Sequence, residues 1–289
     1  MTETSGALVL AGGGIVGIAW ELGFLRGLES GSPALFEKIR SSETTYIGTS
    51  AGSIVATQLA LGVDLAQLMK PELAGGSASG GPRFHLLGMA ATMIGARVGA
   101  RTPEEARRRI GAYALRAQTF PEDDWVGSIR RRLASDSWPD RRLLINVVDT
   151  ESGEHRVFDQ ASGVHLARAV AASCAVPGVY PPVTIDGRRY MDGGMRSIAN
   201  ADGAAGCDPV LVVAPLRGGG GLGTVQRSEL AALALARVRV EYADRESARA
   251  FGRNPLGGAT RAASARAGVR QGQQNAREIE AFWSQGEME

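Results

Sequence analysis

The stretch TTYIGTSAGSIVATQLALG, residues 44–62, decides how this chain is read. TTYIG is β-rich and reads as a short strand. AGSIVATQLALG is apolar nearly all round and reads as a buried helix. Between them stands Gly48-Thr49-Ser50-Ala51-Gly52, a G-x-S-x-G pentapeptide that occurs once in the chain. In a nucleophile elbow the serine sits on a tight strand-to-helix turn, and the residues two before and two after it crowd together. Gly48 and Gly52 meet that demand for small residues. Ser50 is therefore a candidate nucleophile. The plain alternative is a glycine-rich turn that Ser50 merely caps.

Outward from this point the pattern repeats. GALVLAGGG (6–14) is a short apolar run ending in glycines, a buried strand. IVGIAWELGFLRGLES (15–30) puts Ile15, Ile18, Leu22 and Leu25 on one side, at helical spacing. The first 62 residues thus alternate β-α-β-α, the order of a parallel sheet. RRLLINVVDT (141–150) and PVLVVAPL (209–216) read as further strands, the second late and central. Glu151 to Glu154 makes a hairpin-like turn, and GVHLARAVAASCAVPGVY (163–180) a helix stopped by Pro177. Asp186-Gly187, set between alternating residues, predicts a type I′ hairpin. Pro103 and Pro121 stand near the starts of polar helical runs. Residues 72–101 shift in composition: two glycine clusters frame a loop, then FHLLGMAATMIGARVG follows. That segment is either a core-packing helix or a lid and acyl-chain wall, since methionine suits adaptable apolar surfaces. Residues 226–285 read as mainly helical, broken near Asn254-Pro255. With no repeat and no linker, one α/β domain over 1–289 is expected: a core at 6–216, a lid segment at 72–101 and C-terminal helices at 226–285.

Composition narrows the partners. The net charge of +2 over 289 residues gives no nucleic-acid footprint. Arg107-Arg108-Arg109 and Arg130-Arg131-Arg132 read as solvated helix faces, with weak attraction to an anionic membrane as the sharper alternative. Cys174 and Cys207, the only cysteines, make no disulfide framework and fit a reducing compartment. The N-terminus lacks a positive n-region, and the uncharged run 5–20 is glycine-broken and short of the ~20 residues a spanning helix needs. A cytoplasmic protein, peripheral at the membrane when it meets lipid, is expected.

Gly12-Gly13-Gly14-Ile15-Val16-Gly17 fits G-x-G-x-x-G between a strand and a helix, the dinucleotide fingerprint. That reading, an oxidoreductase, expects an acid at the end of the second strand, where Ile47-Gly48-Thr49 stands. The same glycines let backbone N–H groups converge on an anion at a helix N-terminus, which beside a serine makes an oxyanion hole. The serine also needs a base. The chain has three histidines, His85, His155 and His165, and its last third has none. His85 lies in the lid-like segment, His155 on a hairpin edge, and His165 opens a helix. A carboxylate is the better candidate. Asp192 ends the returning strand and is followed by Gly193-Gly194, which let the chain turn so that the acid points into a crevice. Asp149 is its rival, within what reads as an ordinary turn, and Asp186 is explained by its hairpin. Burial would raise the pKa of Asp192 toward that of a useful base. Nothing resembles a metal-ligand cluster, and no cofactor is expected.

G-G-G-x-x-G, G-T-S-A-G and D-G-G, in that order, resemble the patatin-like phospholipase family over roughly residues 6–216. AASCAVPGVYPPVTIDGRRYMDGG (171–194) is similar to the family's approach to its catalytic aspartate. The resemblance implies a three-layer α/β/α fold with a mainly parallel central sheet. It implies a Ser-Asp dyad without histidine, with Ser50 as nucleophile and Asp192 as base. Gly12, Gly13 and Gly14 would supply oxyanion N–H groups, and Gly17, Gly48, Gly52, Gly193 and Gly194 are the matching motif glycines. Lipid acyl esters would be the substrates, met by transient contact with a membrane surface. A catalytically silent lipid-binding module is the third reading. One departure stands out: Val16 occupies a position where the family commonly has Arg or Lys. Arg196, just past D-G-G, either supplies the missing charge or is an ordinary surface arginine.

Overall fold

The computed structural model describes residues 6–75, 86–217 and 225–285. The chain opens β1 (Ala7–Leu10), α1 (Gly14–Gly31), α2 (Pro33–Ile39), β2 (Thr45–Thr49), α3 (Ala51–Ala60) and α4 (Leu65–Leu73). The expected β-α-β-α is present, with α2 added where Ser32 caps the Leu35 N–H and Pro33 fills the first turn. Next come α5 (Leu86–Arg97), α6 (Pro103–Arg116) and α7 (Glu122–Arg130). Pro103 opens α6 behind its Thr102 cap, and Pro121 immediately precedes α7. Then follow β3 (Leu143–Asp149), β4 (His155–Phe158), α8 (Leu166–Ser173), β5 (Val183–Ile185) and β6 (Arg188–Asp192). The β5–β6 turn has φ of 50° at Asp186 and 75° at Gly187, the two positive values a type I′ turn requires. The chain closes with β7 (Val210–Ala214), α9 (Arg227–Ala232), β8 (Val238–Tyr242), α10 (Arg245–Ala250) and α11 (Arg261–Ser284).

Three expectations are corrected. The helix entering the 163–180 stretch ends at Ser173, four residues before Pro177. There the Ser173 hydroxyl turns to Asn146 O and the Cys174 thiol to Ser50 O. Residues 226–285 are not all helical: β8, sequence VRVEY, adds an edge strand parallel to β7. Its alternating valines carry a β signal that the surrounding Arg/Ala-rich sequence masks. Arg107 and Arg109 are not freely solvated either. Arg107 binds Gly153 O and Glu104, while Arg109 binds Val98 O, Gly99 O and Glu105.

Followed by pairing, the sheet links β5-β6-β3-β2-β1-β7-β8, with β2 and β6 sharing one edge of β3 and β4 paired along the other. The pairs β3-β2, β2-β1, β1-β7 and β7-β8 are parallel, while β4, β5 and β6 enter antiparallel. Side chains alternate across the sheet. Leu8 and Leu10 of β1 pack in one core with α1, α3, α8 and α11, while Ala7 and Val9 pack in a second with the 199–207 segment. The result is a three-layer α/β fold. α1, buried along most of its length, is clasped by α11. Their backbones touch: a Cβ on Gly272 would lie 2.1 Å from Phe24 O, and one on Gly23 2.1 Å from Ala265 O.

Candidate active site

Ser50 stands at the end of β2 with φ 53° and ψ −123°. A residue with a side chain holds such a conformation only where its surroundings over-determine it. Here they do. The Ser50 N–H donates to Ser173 Oγ at 3.0 Å, and that hydroxyl donates to Asn146 O at 2.7 Å. Ser50 O accepts from Ser53 Oγ at 2.6 Å and from Cys174 Sγ at 3.0 Å. Asn146 Nδ2 donates to Gly48 O at 3.1 Å. The elbow has no spare room: a Cβ on Gly52 would lie 2.1 Å from Leu10 O, and one on Gly48 2.4 Å from the Ser53 Cα. The Ser50 side chain makes no capping bond to α3, so the capping alternative does not hold.

Asp192 arrives from the opposite direction. Along β3, Asn146 pairs with Thr49 of β2, and the very next residue, Val147, pairs with Asp192 of β6. In a strand, the backbone groups of successive residues face alternate edges. Arg142 O receives the Tyr46 N–H of β2, and the Thr150 N–H reaches Arg189 O of β6, so both partners lie on one edge. The Asp149 N–H points the other way, to Glu154 O beside β4. Strands β2 and β6 therefore meet end to end along β3, and their ends carry Ser50 and Asp192. Asp192 is 2% exposed, and its Oδ1 accepts the Gly194 N–H at 2.7 Å. Burial pushes its pKa up to about 7, against hydrogen bonds from the Ser50 side chain and the Gly194 N–H that pull it down. Gly193 is required where it stands, since a Cβ there would lie 2.4 Å from Asn146 O.

The glycine loop is divided in its duties. Gly12 packs against Ser50, and its N–H is already bonded to Ile198 O at 2.8 Å. That spends the group, so the expectation of three oxyanion donors is corrected at Gly12. Among the described residues the N–H groups of Gly13, Gly14 and Ala51 make no hydrogen bond. Gly14 has φ 66°, and a Cβ there would lie 2.6 Å from Pro255 O, which also accepts the Val16 N–H. A Cβ on Gly13 would lie 2.8 Å from Pro215, and Gly17 rests on the same proline. Prolines pack against this loop, and β2 ends in Thr49 with no acid beyond it, which removes the support for a dinucleotide site.

The other candidates fall away for stated reasons. His155 Nε2 lies 2.9 Å from Asn146 Oδ1. Burial, with help from Arg196, pushes its pKa down to about 4. His165 precedes α8 without capping it, and His85 lies outside the described residues. Asp149 is a turn residue: its Oδ1 accepts the N–H groups of Glu151 and Ser152, and Oδ2 pairs with Arg188. Burial raises its pKa, but those partners outweigh it and hold the carboxyl below its usual range. Arg196 forms a two-point ion pair with Asp202 and also binds Asn200. It is neither a free active-site cation nor an ordinary surface arginine. Among the described residues no three His, Cys, Asp or Glu side chains gather to hold a metal.

A narrow cleft opens at Ser50. Ile18, Ile54, Trp125, Val176, Tyr180 and Leu256 make its walls mostly apolar, and Arg132 also lines it. The described residues of α5 do not line it; Met93 and Arg97 border a different cavity beside Met195 and Arg196. Residues 76–85 of the expected lid lie outside the described residues. Ser173, Cys174, Asn146 and Leu256 were not singled out by the sequence. The first two sit in the segment leading to Asp192, where helical periodicity hides their polar role.

A mostly parallel α/β sheet with a serine on a strained strand-to-helix bend and a buried carboxylate beside it defines the class, a three-layer α/β protein with a candidate nucleophile at a strand end. The chain belongs to the patatin-like phospholipase family, whose sequence profile matches residues 8–205. No curated protein matches it. Among solved structures it is similar to VipD from Legionella pneumophila, at 13% identity and TM-score 0.46, covering 96% of this chain and 67% of that one. It is also similar to the type III effector ExoU, at 19% identity and TM-score 0.39, covering 93% of this chain. A third match is full-length ExoU with SpcU from Pseudomonas aeruginosa, at 16% identity, TM-score 0.43 and 97% coverage. The chain spans 53% of each of the two ExoU structures' matched chains.

Proposed function

We propose that the protein hydrolyses fatty acyl esters through a Ser50–Asp192 dyad. One observation carries this reading: a serine hydroxyl free of capping bonds faces a fully buried carboxyl whose pKa lies near 7. A base is most effective when its pKa lies near the working pH. Ser50 Oγ attacks the acyl carbon as Asp192 takes its proton. The carbonyl oxygen becomes an oxyanion held by the N–H groups of Gly13, Gly14 and Ala51. Each such donor is worth about 3 kcal/mol at the transition state. Collapse expels the alcohol, which takes the proton from Asp192 and leaves an acyl ester on Ser50. Water then attacks that ester, Asp192 accepts its proton and returns it to Ser50 Oγ, and the fatty acid departs. The apolar cleft walls would take the acyl chain.

A membrane surface would supply the substrate. Ile94 and Val98 are 61% and 70% exposed and lie one helical turn apart at the end of α5, beside the exposed Arg97 and Arg101. Among the described residues no helix is long and apolar enough to cross a membrane.

A fluorophosphonate probe with peptide mapping tests the nucleophile. Label on the peptide carrying Ser50, lost in Ser50→Ala together with ester turnover, is expected. Turnover retained by Ser50→Ala would overturn the reading.

A further inference from the structure

The cleft at Ser50 shares part of its wall with a neighbouring cavity. Ile18, Ile54 and Arg132 also line this second cavity of about 380 Å³. Leu22, Val55, Leu68 and Pro71 give this second space an apolar floor. Its polar groups cancel or are spent, with two exceptions. Glu72 is 6% exposed and held at two points by Arg261, at 2.6 and 2.8 Å. Gln58 is used by the backbone, donating to Arg132 O and accepting the Ala134 N–H. The exceptions are the exposed side chains of Arg131 and Arg132, whose guanidinium groups make no hydrogen bond or ion pair among the described residues. Their neighbour Arg130 is different, since it pairs with Asp136.

The charge balance is therefore one-sided. Among the described residues no aspartate or glutamate lines the Ser50 cleft, and the only carboxylate in the second cavity is neutralised. Among the described residues, the Arg131 and Arg132 side chains remain without partners. Val16 leaves the glycine loop without a cation, and Arg196 is taken up by Asp202. Arg132 reaches the same cleft from the far side, just past the end of α7. Its backbone is fixed there by the Gln58 bond and by its own N–H to Ile129 O.

Resting on the reading of Ser50 as nucleophile, we propose that Arg132 selects esters that carry a phosphate close to the scissile bond. A guanidinium matches a phosphate by forked, charge-assisted hydrogen bonds, roughly twice as strong as neutral ones. Among the described residues an ammonium group on the same substrate finds no unpaired carboxylate in either cavity, and Arg131 repels it. The preference is accordingly for anionic phosphate esters over zwitterionic ones, and over neutral ones.

The test uses soluble hexanoyl esters of glycerol 3-phosphate, glycerophosphocholine and glycerol. The wild type should show its highest kcat/KM on the glycerol 3-phosphate ester. In Arg132→Gln the ratio of kcat/KM for that ester to kcat/KM for the glycerol ester should fall about 10- to 100-fold, mainly through KM. Arg132→Lys, which keeps the charge but not the fork, should recover part of the ratio. A ratio unchanged in Arg132→Gln, or a wild-type preference for the choline or glycerol ester, overturns the role of Arg132 alone. Absence of turnover on all three esters, with no probe labelling of Ser50, overturns the nucleophile reading and this role with it.

Discussion

A carboxylate with an ordinary pKa near 4 is a poor acceptor for a serine proton at neutral pH. Burial of Asp192 corrects that mismatch, lifting its pKa to about 7. Activity should then track the ionised form. We expect kcat/KM to rise about tenfold per pH unit below pH 7 and to level above it. His155, with a pKa near 4, stays neutral across that range and does not shape the curve. Asp192→Asn should lower turnover by about 10²- to 10⁴-fold. Stability moves the other way. The folded-state pKa exceeds the unfolded one, so the folded protein holds a proton between about pH 4 and 7 that the unfolded chain releases. Stability from this group is full below that window, falls through it and stays low above it. Thermal melts should therefore show Asp192→Asn more stable than the parent at pH 8, with the gap narrowing at pH 5. A gap that widens toward acid would show Asp192 to be ionised in the fold at low pH. The bends that carry Ser50 and Asp192 were legible because glycines mark both turns. The spent N–H of Gly12 was not legible: its acceptor, Ile198 O, is remote in sequence and leaves no trace in residue type.

Elements were legible where one period dominated. β1, α1, β2 and α3 follow from apolar runs punctuated by glycine, and the β5–β6 turn from Asp186-Gly187. β8 was hidden because its five residues sit among helix formers, and only pairing with β7 makes them a strand. α8 ends early because tertiary partners claim Ser173 and Cys174 before Pro177 can act. α5 remains the element with the most to test. Its Met93 and Ala96 are buried, while Ile94 and Val98 face outward next to arginines. An amphipathic surface of this kind binds anionic lipid by burying apolar area and attracting headgroups. Ile94→Asp with Val98→Asp should cut co-sedimentation with phosphatidylglycerol vesicles several-fold, with turnover of a soluble ester as the check on folding. Unchanged vesicle binding would move the contact elsewhere.

At the scale of the molecule, the C-terminal helix is part of the catalytic body. α11 lies backbone to backbone against α1, and the chain just before it places Pro255 and Leu256 against the glycine loop and the cleft. Gly272→Val would drive a side chain into Phe24 O. Overpacking of this kind costs about 1–3 kcal/mol, so a fall in Tm of roughly 2–12 °C is expected by calorimetry. An unshifted Tm would mean that the two helices can part cheaply. The match to the family covers 8–205, so this clasp lies outside the part that resemblance could foretell. The junction of β2 and β6 has a wider consequence. Adjacent residues of one strand, Asn146 and Val147 of β3, position the proposed attacking oxygen and its proposed proton acceptor, so any tremor of that strand carries both in phase. Much of the cleft wall comes from other elements, α1, α7 and the turns after α8 and α10. New substrates can thus be accommodated by reshaping those walls while the reacting pair keeps its alignment.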